Sequence, residues 1–159
     1  MGLTSPIRIR PATDADAEDA TRLYGSACRE FEGVPLDPAE IVSRLATASD
    51  LVLLAIPDDP FVEHAAGLLA CHAGRQSGKS CVVIDTLWVA PGFRRRGAGA
   101  GLLQGVLTGT HVPSAALGTS RVVLDIPVDN SSLKSLCLSL GMSRAEAPCR
   151  YAFARGPSR

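Results

Sequence analysis

The chain has 159 residues, 46% of them hydrophobic, enough to bury roughly 70% of the extended surface in one core without metal or disulfide staples, so a single domain over 1–159 is the expected organisation. Sixteen basic residues balance sixteen acidic ones, which leaves no basic excess of the kind that strong nucleic-acid or anionic-membrane binders carry. No apolar run approaches the ~18 residues a membrane helix needs, and residues 1–10 lack the apolar stretch of a secretory signal.

Along the chain, Ile7 and Ile9 alternate with Arg8 and Arg10, which reads as a short first strand ended by Pro11. Thr13 or Asp14 then caps a helix whose start is rich in Asp and Glu, at the positive end of its dipole. Leu23, Ala27 and Phe31 give that helix an apolar stripe, and Gly33 and Pro35 break it. Asp37-Pro38 opens a second helix with Ile41, Leu45 and Ala48 at helical spacing. Residues 51–56 form an apolar strand stopped by Pro57-Asp58-Asp59-Pro60. Residues 65–73 and 80–89 are two further strands, and residues 74–79 join them as a hairpin turn. A glycine-rich helix spans 97–108, a loop 109–120, a strand 122–126, a helix 131–140 and a last strand 150–154. The order β, α, α, three strands, α, β, α, β implies an α/β mixed sheet with helices on its faces.

Five scattered cysteines, an odd number without metal-type pairs, suggest buried reduced thiols in a cytoplasmic protein. Residues 73–80 fit a relaxed phosphate-loop pattern with Lys79 as its lysine. Such a loop must run into a helix, whose first amides hold the anion. Here it runs into Cys81-Val82-Val83-Ile84, a strand, so a hairpin turn is the reading adopted. Gly97-Ala98-Gly99 alone is too short for a dinucleotide fingerprint, because Leu102 stands where a third small residue belongs.

The stretch 84–103 carries more. A strand runs into Pro91-Gly92-Phe93, then Arg94-Arg95-Arg96-Gly97-Ala98-Gly99, and a helix follows at once. Glycines let backbone amides approach a ligand, and a helix N-terminus adds partial positive charge. That arrangement suits a pyrophosphate held by backbone nitrogens with guanidinium support. A solvated basic turn before a glycine-rich packing helix accounts for the same residues equally well.

Arg94-x-x-Gly97-x-Gly99 resembles the Arg/Gln-x-x-Gly-x-Gly/Ala signature of the GNAT superfamily of N-acetyltransferases. Leu87-Trp88-Val89-x-Pro91-x-Phe93 is similar to the Leu-Tyr-Val-x-Pro-x-Tyr that precedes it there. Leu124-Asp125-Ile126, Asn130, Leu133, Leu136-Cys137 and Leu140-Gly141-Met142 resemble the second block of that family. The resemblance implies a mixed sheet of about six to seven strands, helices on both faces, and a splayed parallel strand pair that forms a cleft for acetyl-CoA. It implies that backbone groups of Leu87, Trp88 and Val89 pair with the pantetheine arm. The loop of Arg94, Arg95, Arg96, Gly97, Ala98, Gly99 and Ala100 would hold the pyrophosphate, and Asn130 would meet the cofactor from the opposite wall.

The implied reaction is direct transfer of an acetyl group from acetyl-CoA to a primary amine of a small molecule or protein, without a metal. A homodimer is common in the family. An ammonium must lose a proton before it can attack, and Asp85, placed by period two on the face of Leu87, is the candidate catalytic base. Phe31 and Glu32 would line the acceptor site. The family often places a tyrosine where this chain has Cys137, which leaves the acid for the leaving thiolate unassigned. An acyl-CoA-binding sensor module that transfers nothing is the alternative.

Overall fold

The structure is a computed structural model, which describes residues 6–30, 37, 39–45, 47–119, 121–126, 130–145 and 150–154. Its spine is a seven-stranded sheet of order β1-β2-β3-β4-β5-β7-β6. The strands are β1 (Ile7–Pro11), β2 (Asp50–Pro57), β3 (Gly67–Gln76), β4 (Lys79–Val89), β5 (Arg121–Asp125), β6 (Ser143–Arg144) and β7 (Arg150–Ala154). Every neighbouring pair is antiparallel except β4 and β5, which run parallel. Residues 74–79 are less turn than expected, because β3 and β4 stay paired to Gln76↔Lys79. Only Ser77 and Gly78 bend the chain, both at positive φ (51° and 75°), as a two-residue hairpin turn requires. Lys79 therefore belongs to a strand and heads no helix.

The helices are α1 (Ala17–Glu30), α2 (Glu40–Ser43), α3 (Ala98–Leu107) and α4 (Ser131–Ser139); among the described residues none is long and apolar enough to cross a membrane. They divide between the two faces of the sheet, and so does the core. On one face Ala20, Leu23, Tyr24 and Ala27 of α1 and Ile41 of α2 pack on Val52, Leu54, Leu68, Ala70 and Trp88. On the other, Leu102, Leu103 and Val106 of α3 and Cys137 of α4 pack on Leu53, Leu69, Val82, Ile84 and Leu124. Each of the leucines buried to 0% exposure stabilises the fold by about 1.5–3 kcal/mol relative to an exposed one.

Entry to α1 runs through one turn of 3-10 helix at Asp14–Asp16. The Asp16 carboxylate accepts the Thr13 amide at 2.8 Å and takes both Arg10 guanidinium ends at 2.7 and 2.8 Å. The start of the helix is thus tied to β1. That guanidinium holds the Asp16 carboxyl far below the usual carboxylate range. Most expected strand and helix ends fall within three residues of the observed ones; α2 is the exception, ending at Ser43 where the apolar spacing carried it to Ala48. The two-residue β6 was not expected, being too short to carry a period.

Register slips once. Cys71 faces Ile84, yet the next β3 residue back, Ala70, faces Thr86, so Asp85 is an extra residue in β4. Such a bulge inverts the alternation of everything beyond it. Val82 and Ile84 point to the α3 face, and after the slip Leu87 and Val89 take that face while Trp88 joins the α1 core.

Candidate functional site

The parallel pairing of β4 with β5 covers only Val82↔Val122, Val83↔Val123 and Ile84↔Leu124. Past Ile84 the two strands part. Among the described residues no strand then pairs with the β5-facing edge of β4, so its backbone at Leu87, Trp88 and Val89 lines a gap. Two helix starts close that gap. After β4 the chain makes a 3-10 turn at Pro91–Phe93 and enters α3 through Gly97, at φ 85°. The first helical bond runs from the Gly101 amide to the Gly97 carbonyl, 2.8 Å. The amides before it have no partner within the helix and face outward at its positive end. Arg95 also sits at positive φ, 62°, a conformation that costs a residue with a side chain about 1 kcal/mol.

From the other side comes α4. Asn130 caps it, its Oδ1 accepting the Leu133 amide at 3.1 Å. The result is a cavity of about 660 Å³ lined by Leu87, Trp88, Val89, Arg94, Arg95, Gly97, Gly99, Ala100 and Asn130, together with Glu30, Ser132, Leu133 and Leu136. That volume lies in the range of small-molecule sites. Its chemistry suits a long ligand with an anionic end: an apolar floor, an unpaired strand edge, and amides with arginines at one mouth. Those observations fit a CoA-type co-substrate.

Of the cofactor residues suggested by the sequence, two are not among the lining. Ala98 is buried under α3. Arg96 is exposed, its guanidinium 5.4 Å over the Phe93 ring. Arg94 lines the cavity but is already engaged. Its Nη2 donates to Glu30 Oε2 at 2.6 Å, and its Nε donates to the Val89 carbonyl at 2.8 Å. The same Glu30 oxygen takes the Trp88 indole N–H at 2.6 Å. Arg94, then Trp88, hold the Glu30 carboxyl below its ordinary pKa despite partial desolvation. Glu30, the last residue of α1, was not singled out by the sequence, where no local pattern marks it. Phe31 and Glu32 lie outside the described residues.

Asp85 is not among the lining residues, and its expected place on the face of Leu87 is corrected by the bulge. Asp85 instead joins a cluster on the α1/α2 face. Its Oδ2 accepts Arg44 Nη2 at 2.6 Å and lies 2.8 Å from His72 Nδ1. Arg44 is held in turn by Asp50, Nε to Oδ1 at 2.8 Å, and the other Asp50 oxygen takes the Thr47 hydroxyl at 2.8 Å. Burial pulls the Arg44 guanidinium down, but Asp85 and Asp50 outweigh it and the net shift is upward. Burial likewise pushes the Asp50 carboxyl up, and Thr47 with Arg44 more than reverse this. Asp125, on β5, pairs with its cross-strand neighbour Arg150 at 2.8 and 3.0 Å. Cys137 is wholly buried, and burial pushes its thiol up to about 11.

Comparison with known proteins agrees with this geometry. The sequence model described as the Acetyltransferase (GNAT) family matches residues 17–142. No curated protein matches the chain significantly in sequence. Solved structures share the fold. A GNAT family acetyltransferase from Brucella melitensis, in complex with acetyl-CoA, is 21% identical over 98% of this chain and 92% of its own, with a TM-score of 0.70. The ribosomal-protein-S18-alanine N-acetyltransferase of Escherichia coli is 15% identical over 97% of each chain, TM-score 0.72. An aminoglycoside antibiotic 6'-N-acetyltransferase from Acinetobacter baumannii is 21% identical over 89% of this chain and 94% of its own, TM-score 0.69.

Proposed function

The chain belongs to the acetyltransferase (GNAT) family, and from that premise we propose that it transfers the acetyl group of acetyl-CoA to a primary amine by direct attack within a ternary complex. The observation that carries this reading is the gap between β4 and β5, which opens at Asp85 and is capped by the α3 N-terminus. Amides at the start of α3, with Arg95 beside them, hold the pyrophosphate. The unpaired edge of β4 bonds the pantetheine amides and fixes the thioester between the two strands. Leu133 and Leu136 of α4 exclude water from the arm, which strengthens the polar contacts inside. Asn130, already committed through Oδ1 to its own helix, retains its amide N–H groups for the ligand.

Holding amine and thioester together supplies much of the acceleration. The amine lone pair attacks the carbonyl carbon, the C–S bond breaks, and the thiolate leaves with that electron pair. The similar structures belong to enzymes whose names point to an aminoglycoside and to an alanine of a ribosomal protein, so the acceptor here is drawn from small-molecule or protein amines. Calorimetry with acetyl-CoA tests the cofactor half. Chromatographic measurement of CoA thiol released with sisomicin, spermidine, an alanine-initiated peptide and butylamine tests the transfer. Binding of CoA with no thiol released by any amine would leave a CoA-binding sensor in place of an enzyme.

A further inference from the structure

We propose that His72, and not Asp85, is the group that takes the proton from the acceptor ammonium, with Asp85 as the residue that positions it. This rests on the acetyl-transfer reading above. The observation is the hydrogen-bond pattern at the bulge. Asp85 Oδ2 receives a permanently charged guanidinium at 2.6 Å and the His72 Nδ1 at 2.8 Å. That oxygen is thus already engaged by two neighbours, one of them on a different element.

The imidazole is arranged for the task. An ionised carboxylate can only accept, so Nδ1 carries the proton of the neutral ring and the lone pair lies on Nε2. Among the described residues none bonds Nε2, and the His72 side chain is 39% exposed. A carboxylate on Nδ1 with Nε2 open is the arrangement by which an aspartate orients a histidine base and stabilises the imidazolium that forms.

Position agrees with chemistry. Asp85 is the first β4 residue beyond the last β4–β5 pair, and the bulge turns it away from the α3 face. An amine arriving from the α1/α2 side meets His72 and Asp85 beside the opening. Arg44, which follows α2, pairs with Asp85, and Asp50 of β2 and Tyr24 of α1 lie within electrostatic reach of the pair; Cys28 and Glu40 act on Tyr24, and Cys71 lies beneath on β3. Burial raises the pKa of Tyr24, Cys28 and Cys71, the last to about 12, so these stay protonated near neutral pH and do not compete for the proton.

The step balances. One ammonium proton passes to Nε2, giving an imidazolium paired with Asp85. The freed lone pair bonds to the thioester carbon, the C–S electron pair leaves on sulfur, and a second N–H proton goes to the thiolate. His72 returns its proton to solvent, for one amide, one CoA thiol and one proton released.

The experiment follows thiol release with sisomicin, spermidine, an alanine-initiated peptide and butylamine over pH ~5 to ~10. It uses the full chain and its His72→Gln, His72→Ala and Asp85→Asn variants. His72→Gln should lose about 10²-fold in kcat/KM near neutral pH, with recovery at high pH where free amine is abundant. CoA affinity by calorimetry should be unchanged, and added imidazole should restore part of the activity of His72→Ala. Asp85→Asn should lower kcat/KM while keeping the acid limb, because His72 stays in the reaction but loses the carboxylate that orients its ring. Thiol release that His72→Gln leaves within a few-fold, with the limb intact, overturns the assignment. So does a limb abolished by Asp85→Asn alone. No release with any amine by the unsubstituted protein overturns the transfer reading itself, and the base with it.

Discussion

The cofactor cleft and the cluster at the bulge meet on one strand, β4, within ten residues of each other, and they are built by opposite means. The cleft is mostly backbone: an unpaired strand edge, the first amides of α3, and glycines that let a ligand come close. Its parts come from one stretch, 87–100, closed by the start of α4. The cluster is all side chains, and they come from four places: Arg44 after α2, Asp50 at the start of β2, His72 on β3 and Asp85 on β4. A cleft of backbone serves a ligand that is always the same. A cluster of side chains can be changed one residue at a time, which would suit the acceptor side proposed above.

The largest expected effect lies on the cleft side. At Gly99 an added Cβ would meet Leu136 Cδ2 at 3.5 Å and Val89 Cγ2 at 3.8 Å, so a longer side chain must fill the cavity between α3 and α4. Gly99→Glu also brings a negative charge to the mouth where amides and Arg95 converge. Acetyl-CoA affinity by calorimetry should fall at least about 100-fold, or 2.7 kcal/mol or so, while thermal unfolding barely moves. At Gly97 the cost has another origin. No atom lies near its would-be Cβ, but its φ of 85° makes any side chain strained by roughly 1 kcal/mol. Gly97→Glu should therefore combine a modest loss of stability with loss of binding by charge. An unaffected affinity in either variant would mean that the phosphates sit elsewhere.

Next comes the keystone of the other region. Arg44→Met leaves Asp85 and Asp50 as two carboxylates without their shared cation, in a site about three-quarters or more buried on all three side chains. Breaking such a group from one side costs several kcal/mol when fully buried, and about 2 kcal/mol after discount for the solvent that reaches it. Chemical denaturation should show that loss. Two carboxylate pairs of this half, Asp16 with Arg10 and Asp50 with Arg44, set an acid limit. Asp16 and Asp50 have folded pKa values below the ordinary carboxylate value. Their stabilisation is therefore complete above pH ~4 and is lost as pH falls through the folded values. Both anchor the α1/α2 half, so on acidification hydrogen exchange should loosen α1 before α3. Uniform loosening of both helices would erase the distinction between the regions.

Smaller still is the effect at an ion pair that ties the end of α1 to the cleft. Glu30 holds Arg94 at 2.6 Å inside the cavity, where its negative charge opposes an anionic ligand. Glu30→Gln frees the guanidinium and removes that charge. Acetyl-CoA should bind a few-fold more tightly, by about 1 kcal/mol or less since the pair is solvent-exposed. Weaker binding would show that Glu30 instead holds Arg94 in the geometry the ligand needs.

This contrast also explains what the residues revealed unaided. The cleft was legible because Arg94, Gly97, Gly99 and Asn130 stand at fixed spacings, and a backbone site leaves its signature in local sequence. The order of elements was legible from alternation and breakers such as Pro11 and Pro57. The bulge was not, since one extra residue in β4 leaves no mark on composition while reversing which face Asp85 occupies. His72 has no partner at motif spacing to mark it in the sequence. Its partner lies thirteen residues on, across a hairpin, and the cation that ties up Asp85 lies on another element. Glu30 shows the same limit from the cleft side, as the end of an ordinary amphipathic helix brought beside Arg94 only by the fold.

The smallest expected effect is at Cys137, where the family often has a tyrosine that protonates the leaving thiolate. The thiol cannot replace a phenol by reach, because it stops one bond beyond Cβ. Nor does it face the cleft: Ser132, Leu133 and Leu136 of α4 line the cavity, while Cys137 turns into the core at 0% exposure. There it behaves as a small hydrophobe, and burial, which pushes it up to about 11, keeps it protonated and out of contact with water. The leaving group asks for little, since a thiol of pKa ~8.5 released near pH ~7 lacks only about 2 kcal/mol of protonation free energy, which water supplies. Cys137→Ala should therefore change kcat/KM by less than about tenfold, under about 1.4 kcal/mol of transition-state stabilisation. Removing one buried sulfur should cost about 1 kcal/mol of stability. A hundredfold loss of turnover with CoA affinity and folding intact would make the thiol the acid after all, and would place a catalytic group on the α3/α4 side of the sheet.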